Sequence, residues 1–124
     1  MTNVEFKNYL QNRTIAFSVT VIELLQKISI TRISRNIKDQ IIRSSTSIGA
    51  NYHEANRAES RSDFIHKIAI TAKEASETEY WLSILEKLFP EYKEIVACRS
   101  EVAELVRIFD KIHLTACKNK RLRA

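Results

Sequence analysis

The chain has 124 residues, a length typical of one domain that buries a core without disulfides or structural metals. It contains one glycine and one proline, with 44% apolar and 28% charged residues, so an all-β fold is disfavoured and a soluble all-α protein is favoured. Its net charge of +5 leans weakly toward polyanionic partners.

Apolar periodicity predicts a single domain of four helices followed by a basic tail. The helices are expected at about 6–29, 35–58, 61–88 and 92–117, and the tail at 118–124. Because the predicted connections are short, we expect an up-down-up-down antiparallel four-helix bundle.

Helix 1 carries more apolar surface than one bundle core requires. One stripe contains Ile15, Val19, Ile22 and Leu25, and another contains Phe17, Val21, Leu24 and Ile28. Helix 3 adds further apolar residues beside its main stripe, namely Ile70, Trp81, Ile84 and Leu88. A second apolar surface in a chain of this size predicts a homo-oligomer.

Helix 2 has an unusual composition in its middle. Its core stripe is expected to contain Ile37, Ile41, Ser44 or Ser45, Ile48, Tyr52 and Ala55. The segment 44–50 is rich in serine and includes Gly49, which gives it poor intrinsic helix propensity. Small residues there indicate close packing against another backbone, and the alternative is a loop at 44–50.

The start of helix 3 is marked by Ser60 and Asp63, which approximate a capping box. The core stripe of this helix is expected to contain Phe64, Ile68, Ala72, Ala75, Glu79, Leu82 and Phe89. A buried Glu79 needs a cationic partner, and antiparallel packing predicts a contact with Arg43. The alternative places Glu79 at the solvent edge. A polar clamp between helices 2 and 3 is expected from Gln40, Arg43, Asn51, Glu54 and Glu79.

Helix 4 has the most regular pattern, and its core stripe is expected to contain Ile95, Cys98, Val102, Leu105, Phe109, Ile112 and Ala116. Cys98 on this stripe is interpreted as a small buried hydrophobic residue.

No catalytic, metal or cofactor site is predicted. The spacings Asp63-x-x-His66 and Asp110-x-x-His113 fit metal-binding bundles, but His66 lies opposite the core stripe. Cys117 follows His113 by four residues without an accompanying oxyanion donor. The chain lacks a glycine-rich phosphate loop, a signal peptide and a membrane span, so we expect a non-enzymatic cytoplasmic protein.

Several basic residues are candidates for contacts with nucleic-acid phosphates. They are Arg43, Arg57, Arg61, Lys118, Lys120, Arg121 and Arg123. The alternative is a solvated face and a frayed tail. For Arg43, a surface contact and an internal clamp both remain open.

Three segments resemble the four helix bundle protein family, whose members are also called rRNA intervening-sequence proteins. They are residues 40–55 (QIIRSSTSIGANYHEA), residues 60–65 with Ser60, Asp63 and Phe64, and residues 73–82 (KEASETEYWL). The resemblance implies a four-helix bundle without enzyme activity, a homopentameric assembly, and encoding within 23S rRNA genes of some bacteria. A related branch, the accessory variability determinants of diversity-generating retroelements, binds a reverse transcriptase and nucleic acid.

The turn after helix 2 departs from the family pattern. Many relatives carry glycine where this chain has Ala55 and a basic run where it has 56–59. Glu59 dilutes the positive charge of that turn.

The function we predict is a self-assembling protein that binds RNA or DNA through basic surfaces. The alternative is a protein-binding adaptor or scaffold, for example for a reverse transcriptase, that makes no contact with nucleic acid.

Overall fold

The computed structural model describes the backbone of residues 1–123 and the side chains of residues 1–122. Within residues 1–123 the secondary structure consists of four α-helices and their connections. They are α1 (Asn3–Gln26), α2 (Arg35–Ala55), α3 (Arg61–Leu88) and α4 (Lys93–Arg123). None of these helices is both long and apolar enough to cross a membrane.

Each helix packs against two neighbours, α1 against α2 and α4, and α3 against α2 and α4. The side chains that meet between helices show that every neighbouring pair is antiparallel. For example, Lys67 near the start of α3 contacts Glu54 near the end of α2, and Ser62 contacts Lys120 near the end of α4. The predicted up-down-up-down antiparallel four-helix bundle is therefore confirmed.

Hydroxyl side chains define the starts of three helices. Thr2, Ser34 and Ser60 have extended backbone conformations, and each accepts a hydrogen bond from the backbone N–H three residues later. For Ser60 the donor is the N–H of Asp63, at 3.0 Å. These hydroxyls satisfy donors that have no partner within their own helix.

Three helices have bounds that differ from the sequence prediction. Helix α1 begins at Asn3 rather than at 6, because Thr2 caps it, and it ends at Gln26 rather than at 29. Ile28, which follows the end of the helix, is buried in the core. Helix α2 ends at Ala55 rather than at 58. Helix α4 continues to Arg123, so the prediction of a separate tail from 118 is wrong up to residue 123. Lysine, arginine and leucine there are good helix formers; Ala124 lies outside the described residues.

The core follows the predicted stripes except in α3. The α4 stripe is buried, with Ile112 half-buried. The α2 stripe is also buried, with Ile37 half-buried and with both Ser44 and Ser45 in the core. In α1 the stripe of Phe17, Val21, Leu24 and Ile28 faces the core, whereas Ile15 and Val19 are 59% and 48% exposed. Of the second stripe predicted for α1, Ile15 and Val19 thus lie on the outside of the bundle, whereas Ile22 is half-buried and Leu25 is buried in the core.

The serine-rich middle of α2 is helical throughout, so the alternative of a loop at 44–50 is wrong. Gly49 packs so closely against α1 that an added Cβ would lie 3.0 Å from the Thr14 hydroxyl oxygen. On the same side, Ser18 of α1 donates a hydrogen bond to the Ser45 carbonyl at 3.2 Å. Small side chains allow this close approach of α1 and α2, which compensates for their poor helix propensity.

The prediction of Glu79 as a core residue of α3 is wrong. Glu79 is half-buried, and the neighbouring Thr78 is fully buried instead. The hydroxyls of Thr78 and Ser44 are hydrogen-bonded at 2.9 Å, and Thr78 also donates to the Glu74 carbonyl. One residue of helix is about 100° of rotation, so an assignment that is off by a single position exchanges a core residue for an edge residue.

Candidate nucleic-acid interface

Five of the residues that were predicted to contact phosphates lie at the same end of the bundle, which we call the basic end. It consists of Arg57, Arg61, Lys118, Lys120 and Arg121. Arg57 lies in the turn between α2 and α3, Arg61 is the first residue of α3, and the other three belong to the last turns of α4. Antiparallel packing brings these segments together, and Lys120 Nζ donates to Ser62 Oγ at 2.6 Å.

The cations of the basic end are exposed and unpaired. Within residues 1–123, none of the five lies within salt-bridge distance of a carboxylate. At the opposite end of the bundle, Lys27 pairs with Glu94 at 2.6 Å and Arg32 with Glu91 at 2.5 Å. The positive charge of the basic end is therefore not compensated by ion pairs, which suits contacts with phosphates.

Three carboxylates moderate the charge of this end, and one of them, Asp63, lies in the first turn of α3. Glu59 is exposed in the turn beside Arg57. Glu54 is also exposed, but Lys67 pairs with it at 3.3 Å across α2 and α3. The side chain of Arg123, another predicted contact, lies outside the described residues.

Arg43 has a different environment from the basic end. Its Nη1 lies 3.2 Å from Glu74 and its Nη2 lies 2.6 Å from Glu77, both on α3. Its guanidinium holds the pKa of the Glu77 carboxyl below its usual range, chiefly through their hydrogen bond. The predicted Arg43–Glu79 contact is wrong, since Glu74 and Glu77 take these positions instead. Arg43 links α2 to α3, so we leave it out of the candidate interface.

The other residues of the predicted polar clamp have separate partners. Gln40 accepts a hydrogen bond from Arg43 Nε at 3.4 Å, which supports the Arg43 pair. Asn51 donates to the Ser47 carbonyl at 2.8 Å, within α2 rather than between helices. Of the five residues, only Arg43 and Glu54 form ion pairs between α2 and α3 within residues 1–122.

The ion pairs of Arg13 are among those that were not predicted from the sequence. Arg13 on α1 donates two hydrogen bonds of 2.7 Å to Glu101 on α4, and it also lies 3.2 Å from Glu104. These carboxylates raise the pKa of the half-buried Arg13, chiefly through the Glu101 hydrogen bond. Because the partners are 88 residues apart in the chain, no local spacing indicates their contact.

Cys98 has the environment of a structural cysteine, whereas Cys117 is half-buried. Burial raises the pKa of the Cys98 thiol to about 11, which disfavours the reactive thiolate. Cys117 Sγ lies 3.7 Å from His113 Nε2, one helical turn away. Within residues 1–123, no three histidine, cysteine or acidic side chains are grouped so that they could hold a metal ion.

The chain is similar to a known protein family and to a protein of known structure. The model of the 23S rRNA-intervening sequence protein family matches residues 7–111. The chain is also similar to a crystal structure from Bacteroides thetaiotaomicron, described as a protein with unknown function from the S23 ribosomal protein family. The two chains are 34% identical, with a TM-score of 0.76, and the match covers 83% of this chain and 96% of the other. No curated protein matches this chain.

Proposed function

This chain belongs to the 23S rRNA-intervening sequence protein family, and we propose that it is a non-enzymatic protein that binds RNA or DNA through its basic end. Membership confirms the family resemblance of residues 40–82. The observation that carries the proposal is the cluster of five exposed cations, contributed by three segments of the chain and unpaired with any carboxylate of residues 1–123.

Such a cluster suits phosphates better than it suits specific bases. Arginine and lysine neutralise the nucleic-acid backbone and release its counterions, which provides affinity without reading sequence. In this proposal the protein acts in the cytoplasm as a homo-oligomer, for which the resemblance implies five subunits. An oligomer repeats the basic end once in each subunit, and simultaneous contacts strengthen individually weak phosphate binding.

The proposal is tested by charge reversal at the basic end. We expect the triple variant Arg57→Glu, Arg61→Glu, Lys120→Glu to bind a fluorescent RNA at least about tenfold more weakly, because three attractive phosphate interactions become repulsive. The slope of log affinity against log salt should become shallower by about one for each cation that no longer neutralises a phosphate. Fluorescence anisotropy over a series of salt concentrations measures both quantities.

A matched control changes charge at the opposite end of the bundle. Arg35 and Lys38 lie in the first turn of α2, and neither is paired with a carboxylate of residues 1–123. The variant Arg35→Glu, Lys38→Glu should retain most of the affinity. An equal loss of log affinity for each reversed charge in the two variants would mean that net charge, rather than the basic end, determines binding.

A protein-binding adaptor is the second candidate function. It is favoured by large apolar side chains at the surface, such as Tyr80 and Leu88 on α3, which are 62% and 54% exposed. The family resemblance suggests a reverse transcriptase as one such partner. If the wild-type protein fails to bind nucleic acid even at low salt, the adaptor function is favoured and binding through the basic end is rejected.

A further inference from the structure

Helix α4 extends beyond the start of α1, and this leaves part of its surface uncovered. Arg13 of α1 is level with Glu101 and Glu104 of α4, to which it is paired. Because both helices rise equally per residue, Asn3 is level with roughly residues 111–114 of α4. The last turns of α4 therefore have α3 beside them but no continuation of α1.

An open groove of about 570 Å³ lies at this place. Its apolar surface comes from three helices, with Phe6 from α1, Phe64 from α3, and Ile108 and Ile112 from α4. Phe64, Ile108 and Ile112 are half-buried and pack on the core, whereas Phe6 is 39% exposed and lies outside it. The volume is in the range of pockets that hold small organic ligands.

The groove also has polar and cationic residues at its margin. Arg61 and Lys111 line it, both are exposed, and neither is paired with a carboxylate of residues 1–123. Thr115 and Asn119 add a hydroxyl and an amide that can hydrogen-bond a polar ring edge. Arg61 is shared with the basic end, so the groove and the basic end form one continuous surface.

We propose that this groove accepts an unstacked base of a single-stranded nucleic acid, while Arg61 and Lys111 contact the phosphates on either side. This inference rests on the proposed function and adds to it a preference for single strands. Aromatic side chains provide contact surfaces for bases that have been released from stacking, and bases within a duplex cannot reach them.

The combination of an aromatic lining with unpaired cations selects this ligand class. A purely apolar ligand would leave both cations without a partner, and phosphate contacts alone would not use Phe6 and Phe64. An acidic amphipathic helix also combines apolar and negative groups. The continuity with the basic end favours a polymer of phosphates, because the same chain can contact Lys118 and Lys120 beyond the groove.

The test substitutes Phe6, which can be changed without opening the core. Affinities for a short oligouridylate and for an RNA duplex of the same length are measured by fluorescence anisotropy. We expect Phe6→Ala to weaken oligouridylate binding about tenfold, in line with the loss of one aromatic contact with a base. Duplex binding and the salt dependence should not change, and Phe6→Trp should restore the affinity. Tyr80→Ala, which removes an exposed ring of α3 outside the groove, is the matched control.

The outcomes separate this inference from the proposed function. If the wild-type protein binds both RNAs in a salt-dependent manner, and Phe6→Ala weakens both equally or neither, the groove does not hold a base but binding through the basic end stands. If the wild-type protein binds neither RNA, both proposals are overturned. Phe6-dependent binding of an acidic helical peptide, with oligouridylate binding unaffected by Phe6→Ala, would assign the groove to a protein partner and overturn the inference.

Discussion

At the residue scale, Gly49 and Thr14 determine how closely α1 and α2 approach. Thr14 is buried, and its hydroxyl donates to the Gln11 carbonyl at 2.8 Å, so its rotamer is held in place. A Cβ added at Gly49 would lie 3.0 Å from that oxygen and 3.2 Å from the Thr14 Cβ. Because the Thr14 side chain occupies this space, a Cβ at position 49 fits only if Thr14 or its helix moves by a few tenths of an ångström.

We predict that Gly49→Ala destabilises the protein by about 1 kcal/mol. Alanine improves helix propensity by about 1 kcal/mol relative to glycine, but crowding a packed contact costs about 1–3 kcal/mol. Urea unfolding followed by circular dichroism measures the difference. In a Thr14→Ala background the crowding is reduced, so Gly49→Ala should cost less there. A stabilising effect of Gly49→Ala in the wild-type background would contradict the close contact.

At the scale of elements, neighbouring helices are joined by ion pairs at their solvent-facing edges. Arg43 connects α2 to α3, Arg13 connects α1 to α4, and Arg99 of α4 pairs with Glu86 of α3. A pair as exposed as that of Arg43 contributes little to stability, whereas Arg13 is half-buried. The positions of all three pairs favour one register of the helices. The Arg43 pair has a pH dependence that can be measured.

We predict that Glu77→Gln lowers stability at neutral pH by less than about 1 kcal/mol, since Arg43 is exposed. Arg43 lowers the pKa of Glu77 in the folded state, so the folded protein binds this proton less tightly than the unfolded chain does. The stabilising contribution is therefore complete above the unfolded pKa of about 4.3 and is lost as the pH falls through the folded pKa.

The measurement compares urea unfolding of wild type and Glu77→Gln at neutral and strongly acidic pH. The difference in unfolding free energy should disappear at acidic pH. Glu59→Gln, which changes an exposed glutamate that forms no ion pair within residues 1–123, serves as the control with no expected difference at neutral pH. A deficit of Glu77→Gln that persists below the folded pKa would rule out the Arg43 pair as its cause.

At the scale of the whole molecule, two surfaces that the packing of the bundle leaves exposed bear on binding and assembly. One is the basic end with the adjoining groove. The other is the outer face of α1, where Ile15 and Val19 are exposed one helical turn apart. We propose that this α1 face contributes to self-association, because burial of apolar side chains is the main favourable term in most protein association.

We predict that the double variant Ile15→Glu, Val19→Glu has a lower molar mass than the wild type in light scattering at micromolar concentration. Two charges on the contact face would need to be buried without partners. Val96→Glu, which changes an apolar residue of α4 with 46% exposure, should leave the mass unaltered. A wild-type protein that is monomeric, or a double variant of unchanged mass, would contradict this interface.

The sequence predicted the elements well because long helices repeat their pattern many times. The seven-residue stripe of α4 and the Ser60 start of α3 were readable from spacing alone. The partner of Arg43 could not be predicted from spacing, since three carboxylates, Glu74, Glu77 and Glu79, lie within six residues of one another on α3. A one-residue error in phase selects the wrong one. The length of α4 was underestimated because a basic composition is compatible with either a tail or a helix.

The amino-acid sequence by itself determined the fold class, the family and the chemical character of the candidate residues, because these depend on periodicity and residue type along the chain. Only the tertiary structure decided that Arg43 is paired while Arg57, Arg61 and Lys120 are free of carboxylates within residues 1–123. It also decided that a groove lined by Phe6 and Phe64 adjoins those cations. The physical reason is that ion pairs and grooves between helices depend on the positions of the helices relative to one another. Those positions are determined by contacts between residues that are far apart in the chain.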